Sequence, residues 1–292
     1  IEGVIRQQLR QPPEAVFKTI NYQAIAAGSI AQTHQATLKD GRRVAIKIQR
    51  PGIEAIVVRD IALLKAIAEL VASTDFGKRY DIVGLAEEFS NALRAELDFT
   101  QEANYTEQLR NNLAKGRWFD PKRIVVPEIY KPLTTQKMLV MEWLDGVPIL
   151  AAPLQGKDYK GNIEAERQAL TTLVFRAFFQ QYLVDGFFHA DPHPGNLFYL
   201  ADGRVAILDC GMMGRLDPRT HSILIELVLA IADLDAQRCT QLTLQLAEAT
   251  QPVNLGRLEQ DYKLLLRKYI NVSLANMSTS EAFYEILQTA RR

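Results

Sequence analysis

The stretch from Phe187 to Gly211 limits what this chain can fold into more than any other. It begins Phe187-Phe188-His189-Ala190-Asp191-Pro192-His193-Pro194-Gly195-Asn196. Two prolines forbid a regular helix, so the segment reads as a loop following one. The apolar strand Val205-Ala206-Ile207-Leu208 comes next and ends in Asp209-Cys210-Gly211. Asp-x-x-x-x-Asn ahead of a strand ending in Asp-x-Gly is the layout of a kinase catalytic centre. Phosphoryl transfer needs positioning and charge stabilisation more than covalent chemistry. One carboxylate near the acceptor hydroxyl, and an amide oxygen plus a second carboxylate on Mg²⁺, meet that need.

Such a centre requires a lysine on a strand and an acidic partner on a helix. Val44-Ala45-Ile46-Lys47 supplies the lysine. The strand over residues 43–49 places Val44, Ile46 and Ile48 on one face and Ala45, Lys47 and Gln49 on the other. Residues 29–38 read as its partner, joined through the Asp40-Gly41 turn. Acidic candidates are Glu96, Asp98 and Glu102, the last two expected to share a helix face at i, i+4. A pair about 4 Å apart at an effective dielectric near 20 is worth roughly 4 kcal/mol before desolvation, enough to fix a lysine rotamer. Taken singly, Lys47 reads as a surface lysine, Glu102 as a solvated helix charge and Asp209-Cys210-Gly211 as a turn. Their order along the chain makes the nucleotide site. No Gly-rich phosphate loop or Walker A pattern precedes Lys47; Ala26-Ala27-Gly28-Ser29-Ile30 stands there instead, small enough for close backbone approach.

Hydrophobic periodicity fills in the rest. A helix is predicted over 53–74 with a stripe of Val57, Ile61, Leu64, Ala68 and Val71. A long, bending helix runs from an Asp81 cap towards Ala114. Strands follow over 124–130 and 137–144, then a connector over 148–161 and a helix over 164–185. A hairpin spans 197–209, and helices continue from about Arg219 onward. The expected fold is α+β and bilobal, like a protein kinase. Residues 1–146 form a lobe with a mixed sheet and added helices, and 147–292 a mostly helical lobe.

Composition narrows the function classes. Lys+Arg and Asp+Glu are both 34, for zero net charge, and the basic residues are scattered, so a nucleic-acid binder is not expected. The nearest thing to a basic cluster, Arg42, Arg43 and Arg50, reads as solvated surface. Two cysteines make no disulfide framework and read as reduced thiols. No apolar run is long enough to span a bilayer; the best, over 223–232, contains Glu226. The chain begins with Ile, so it reads as an excised piece. His189 and His193 flank Asp191 but leave a zinc site short of ligands, and read as hydrogen-bonding loop positions.

Together these segments resemble the UbiB family of atypical kinases. The matching stretches are Ile25 to Gln32, Val44 to Gly52, Glu96-Leu97-Asp98-Phe99 with Glu102-Ala103-Asn104, Met141-Glu142-Trp143-Leu144-Asp145-Gly146, His189 to Asn196 and Leu208 to Gly211. The resemblance implies that Ala26, Ala27, Gly28, Ser29 and Ile30 form the family's Ala-rich nucleotide loop. Lys47, beside Ala45, would hold the phosphates of ATP and pair with Glu102. Glu96 and Asp98 would be the Glu-x-Asp motif, and Glu142 would lie in the adenine hinge. Asp191 would be the catalytic acidic residue, with Asn196 and Asp209 on Mg²⁺. The family's Lys-x-Gly-Gln segment is absent from this chain and would precede Ile1. Cys210 stands where kinases usually carry the Asp-Phe-Gly phenylalanine, and Gly28 where many relatives have Ala.

The resemblance further implies an ATPase or a kinase acting on a small or lipid substrate related to prenyl lipids or quinones. Peripheral membrane contact or quinone-biosynthesis proteins are the implied partners, on the cytoplasmic or organellar matrix side. A small-molecule phosphotransferase of the aminoglycoside/choline kinase type and a nucleotide-binding pseudokinase scaffold are the alternatives. The short segment after Gly211 and the lack of an A-P-E motif disfavour an ordinary protein kinase.

Overall fold

The computed structural model describes residues 1–74, 77, 81–247 and 254–269. The helical reading of 270–292 lies outside them. The chain divides into two compact units, one of Ile1–Gln181 with Phe188–Gly214, the other of Tyr182–Phe187 with the described residues from Arg215 onward.

The first unit is built on an antiparallel sheet in the order Phe17–Ile20, Ala31–Leu38, Arg43–Gln49, Met138–Glu142, with the short strand Ala26–Ala27 paired to the start of Ala31–Leu38. The Asp40-Gly41 turn forms as read: Gly41 has φ 90° and the Asp40 carboxylate accepts the Arg42 N–H at 3.0 Å. Alternation along Arg43–Gln49 is strict. Val44, Ile46 and Ile48 are fully buried against Ile5, Phe17, Leu38 and Met138. The helix Glu2–Leu9 and the strand Phe17–Ile20 close that side; neither was legible in the sequence pattern. On the opposite face, Phe99 and Ala103 of the helix Phe99–Leu113 pack with Ala31, Ile129 and Leu139. That packing lays the helix over Lys47, which is in register with Thr33 on one side and Leu139 on the other.

The helix expected from Asp81 to Ala114 is two helices, Ile82–Ala95 and Phe99–Leu113. Asp81 caps the first through the Gly84 N–H at 2.8 Å. The second begins because Asp98 caps it, accepting from the Thr100 N–H at 3.0 Å and its hydroxyl at 2.6 Å. A capping residue lies outside the helix, so Asp98 does not share a helical face with Glu102. The Gln49 side-chain amide fastens the break to the sheet by donating to the Leu97 and Gln136 carbonyls.

The strand expected over 124–130 shrinks to Ile124–Val125, with an isolated bridge from Ile129 to Met141; Pro127 lacks the N–H that a continuous ladder needs. Ile124–Val125 joins a second sheet with Val205–Ile207, Leu197–Leu200 and Gly146–Pro148. The expected connector thus opens with a strand. The helix read over 164–185 is Ile163–Gln180 followed by a π turn at Gln181–Asp185.

The second unit is mainly helical among its described residues, with helices Pro218–Ala232, Ala236–Leu246 and Leu255–Tyr269. Ile223, Leu227, Cys239, Leu242 and Tyr262 share its core, and the Tyr262 and Thr243 hydroxyls pair at 2.6 Å. No helix among the described residues is long and apolar enough to cross a membrane.

Candidate functional site

Every residue assigned to the site lies in the first unit. Lys47 Nζ donates to both carboxylate oxygens of Glu102 at 2.9 Å and to Asp209 Oδ2 at 3.3 Å. The Phe99 ring lies 5.4 Å beneath the ammonium. Glu102 is 6% exposed and the Asp209 side chain 47%, so the corner is sealed on the glutamate side and open on the aspartate side. Thr106 holds the Glu102 turn by donating to its carbonyl at 2.7 Å.

The electrostatics follow from that asymmetry. Burial pulls the Lys47 ammonium down, but Glu102 and Asp209 outweigh it and push its pKa up to about 12. Burial raises Glu102 to about 7 even though Lys47 pulls the other way. For Asp209 burial acts upward, and Lys47 with the Gly211 N–H holds the carboxyl below its usual value. Glu96 is partly buried and raised, by burial first and by the Asp209 charge second. Of the three acidic candidates, only Glu102 bonds Lys47; Glu96 adds charge nearby and Asp98 is a cap.

Lys47, Glu102 and Asp209 line a cavity of about 980 Å³ together with Ala26, Ala45, Glu142 and Asn196. Its hinge side is held by an Arg43–Asp145 ion pair and by the Trp143 indole donating to Asp145 at 2.8 Å. Glu142 lies at the end of its strand, and its carboxylate also accepts the Glu128 N–H at 3.2 Å. Gly28 and Ser29 line a separate, smaller cavity of about 680 Å³ with Gln32 and Arg50. Ala27 is exposed, and Ile30 packs partly against the Phe99 cluster.

Asp191 is exposed and lies off the cavity lining. Its carbonyl and Oδ2 accept from Asn196 Nδ2 at 3.1 and 3.3 Å. That commitment of Nδ2 leaves Asn196 Oδ1 as the donor atom for a cation. The Leu208 N–H, donated to the Asn196 carbonyl at 3.0 Å, ties this loop to the strand leading into Asp209. A carboxylate and an amide oxygen on adjoining turns of one cavity suit a hard divalent cation shared with phosphate oxygens. Among the described residues, no group of three or more His, Cys, Asp or Glu could hold a metal by itself.

The two loop histidines are hydrogen-bonding positions. His189 is buried, accepts the Asp191 N–H on Nδ1 at 3.2 Å and turns Nε2 to the Asp209 carbonyl. With Nδ1 accepting, Nε2 carries the proton, so one imidazole ties together the backbones of both acidic positions. His193 accepts the Gly195 N–H at 3.0 Å. Cys210 is fully buried, and burial pushes its thiol up to about 12.

Sequence reasoning passed over Gln49 and Phe99 as site-building residues and took Arg50 for solvated surface. Arg50 instead donates through Nε to the Gly28 carbonyl at 3.1 Å and through its backbone N–H to the Ile30 carbonyl at 2.8 Å. The signal was its place, three residues after Lys47 and just past the end of the Arg43–Gln49 strand.

Comparison with known families decides the grouping. The ABC1 atypical kinase-like domain matches residues 1–243. The chain belongs to the ABC1/UbiB family of atypical kinases. It is 56% identical over 291 residues to the Synechocystis sp. protein slr0889, covering all of this chain and 71% of that protein. It is 32% identical over 299 residues to the probable protein kinase UbiB of Azotobacter vinelandii, covering 99% of this chain and 53% of that one. The chain thus spans about half of that UbiB protein. Rv3197 of Mycobacterium tuberculosis, solved with erythromycin, superposes with a TM-score of 0.62 at 21% identity, covering 99% of this chain and 78% of Rv3197. The α+β kinase-like architecture expected from the motifs is therefore the architecture of the family.

Proposed function

We propose that this member of the family is a Mg²⁺-dependent ATP phosphotransferase or ATPase whose acceptor is a small or lipid molecule of the prenyl or quinone class. The observation that supports the reading best is Lys47 Nζ held between Glu102 at 2.9 Å and Asp209 at 3.3 Å on the wall of a cavity large enough for a nucleotide.

MgATP supplies the phosphoryl group. Lys47 presents a fixed positive charge to the phosphates, and Glu102 holds its rotamer. Asp209 and Asn196, through a carboxylate and an amide oxygen, would hold the cation. Asp191 takes the proton from the acceptor hydroxyl, its carboxylate oriented by Asn196 Nδ2. Glu142 and Trp143, which line the cavity at the end of the Met138–Glu142 strand, would face the adenine. Family membership favours this reading over an aminoglycoside-type phosphotransferase. Peripheral contact with a membrane, on the cytoplasmic or organellar matrix side, and quinone-biosynthesis proteins as partners belong to the same proposal. The full-length protein with labelled ATP, Mg²⁺ and membrane lipid extract is the test. With the label on the γ-phosphoryl group, label in free phosphate beside unlabelled ADP, or in a lipid product, is expected. Binding without turnover would mean a nucleotide-binding scaffold, and robust labelling of generic peptides would overturn the acceptor class.

A further inference from the structure

The Ala26–Ile30 loop lacks the left-handed glycines that shape a Gly-rich phosphate loop. Gly28 itself has no positive φ. Something else must fix the loop backbone. The Gly28 N–H donates to the Ala31 carbonyl at 2.9 Å and closes a tight turn. Two carbonyls of that turn, Gly28 and Ile30, are both taken by Arg50. The peptide unit is planar and trans, so C=O and N–H point opposite ways. Pinning the Gly28 carbonyl on Arg50 turns the Ser29 N–H to the other side of the loop, and that N–H has no partner among the described residues. Arg50 also follows Lys47 by three positions on the chain leaving the same strand, so it references the loop to the lysine.

We infer that Arg50 is a positioning residue for the nucleotide phosphates: its guanidinium sets the carbonyl of Gly28 and thereby aims the Ser29 N–H of the Ala-rich loop. This rests on the nucleotide-binding reading above. The side chain is partly exposed, lines the smaller cavity beside the loop rather than the Lys47 cavity, and bonds no candidate metal ligand, so its loss leaves the fold and the Lys47 corner in place.

The test is Arg50→Ala in the full-length protein, beside wild type and Lys47→Ala, with ATP, ADP and adenosine titrated by calorimetry and melting followed without nucleotide. The backbone N–H to Ile30 survives, so only the guanidinium contact is removed. Weakening of ATP and ADP by about tenfold, the scale of one charge-assisted hydrogen bond, is expected, with adenosine affinity and the nucleotide-free melting point unchanged. In turnover, KM for ATP rises while kcat at saturation holds, and Arg50→Lys recovers part of the loss. If Lys47→Ala weakens ATP but Arg50→Ala binds ATP like wild type, the inference about Arg50 fails alone. If Lys47→Ala is also without effect, the nucleotide reading fails first. Equal weakening of adenosine and ATP, or a lowered nucleotide-free melting point, would make Arg50 a merely structural residue.

Discussion

Two regions of the site are held by opposite means. Lys47 meets Glu102 and Asp209 across 55 and 162 residues of sequence, and the corner is backed by Phe99, Thr106 and the core of the sheet. The Asp191–Asn196 loop is local and exposed. It is shaped by Asn196 on Asp191, His193 on Gly195 and the buried imidazole of His189. Long-range burial gives the Lys47 corner a fixed geometry and a charge balance set by desolvation. Short-range bonds leave the Asp191 loop open to solvent, where the proposed acceptor would have to approach. On the proposed function, substitutions in the exposed loop should therefore touch turnover and spare stability, and substitutions at the corner should touch binding and stability together.

The largest expected effect comes from the exposed loop. Asp191→Asn removes the carboxylate proposed above as the proton acceptor while keeping the shape of the side chain. Turnover should fall by about 10²–10⁴, the usual contribution of a positioned acid–base group. ATP affinity and melting should stay near wild type, because no buried contact is lost. Single-turnover kinetics with labelled ATP decide it; unchanged turnover takes Asp191 out of the mechanism.

At the corner, Lys47→Ala strips Glu102 of its counter-charge. ATP affinity should drop, and stability should drop with it, in a pH-dependent way. The Glu102 pKa of about 7 in the folded protein lies above its ordinary 4.5. The folded state thus holds more protons between those values, and its stability declines as pH rises through that window. Without Lys47 the carboxyl moves higher still, so the cost of Lys47→Ala should be greater at pH 8 than at pH 6. Denaturant titrations at both values read this directly. A pH-independent cost would mean that Glu102 is reached by water and the corner is not sealed. Lys47 itself, raised to about 12, loses its contribution only as pH climbs through that value, beyond the working range.

Cys210→Phe asks how tightly the corner is packed. Cys210 is fully buried directly after Asp209, so the larger ring has to displace neighbours. A loss of about 1–3 kcal/mol is expected, with activity changed and the fold kept. Denaturation midpoints check it, and a larger loss would show that this segment has no route by which to open.

The same contrast explains what was legible in the sequence. Lys47, Asp191, Asn196 and Asp209 stand in short patterns whose local element type is dictated by neighbours: alternation around Lys47, two prolines around His193, an apolar run ahead of Asp209. The register of Arg43–Gln49 could be read because one face is wholly apolar. The break at Glu96–Asp98 could not, since capping by Asp98 and the hold of Gln49 on Leu97 depend on the sheet packed alongside. Ile124–Tyr130 looked like a full strand because hydrophobicity does not report whether a ladder partner exists. Arg50 looked like surface because composition says nothing about which carbonyls lie within reach.

The smallest expected effect sharpens the comparison at the loop beside the corner. Gly28 has no positive φ, and an added Cβ would meet only the Ala31 carbonyl oxygen at 3.9 Å. An alanine there keeps both the Gly28 N–H to Ala31 and the carbonyl bond from Arg50, since both are backbone groups. The folded state is left unchanged while the unfolded chain loses freedom. Gly28→Ala should stabilise the protein by about 0.4–1 kcal/mol. The gain should appear in denaturant midpoints at constant slope, because no buried surface changes. If the loop were instead held as loosely as the Asp191 segment, the same substitution would leave the midpoint unmoved or lower it. A lowered midpoint would mean that Gly28 visits conformations closed to alanine, and that the Arg50 bond does not fix the loop.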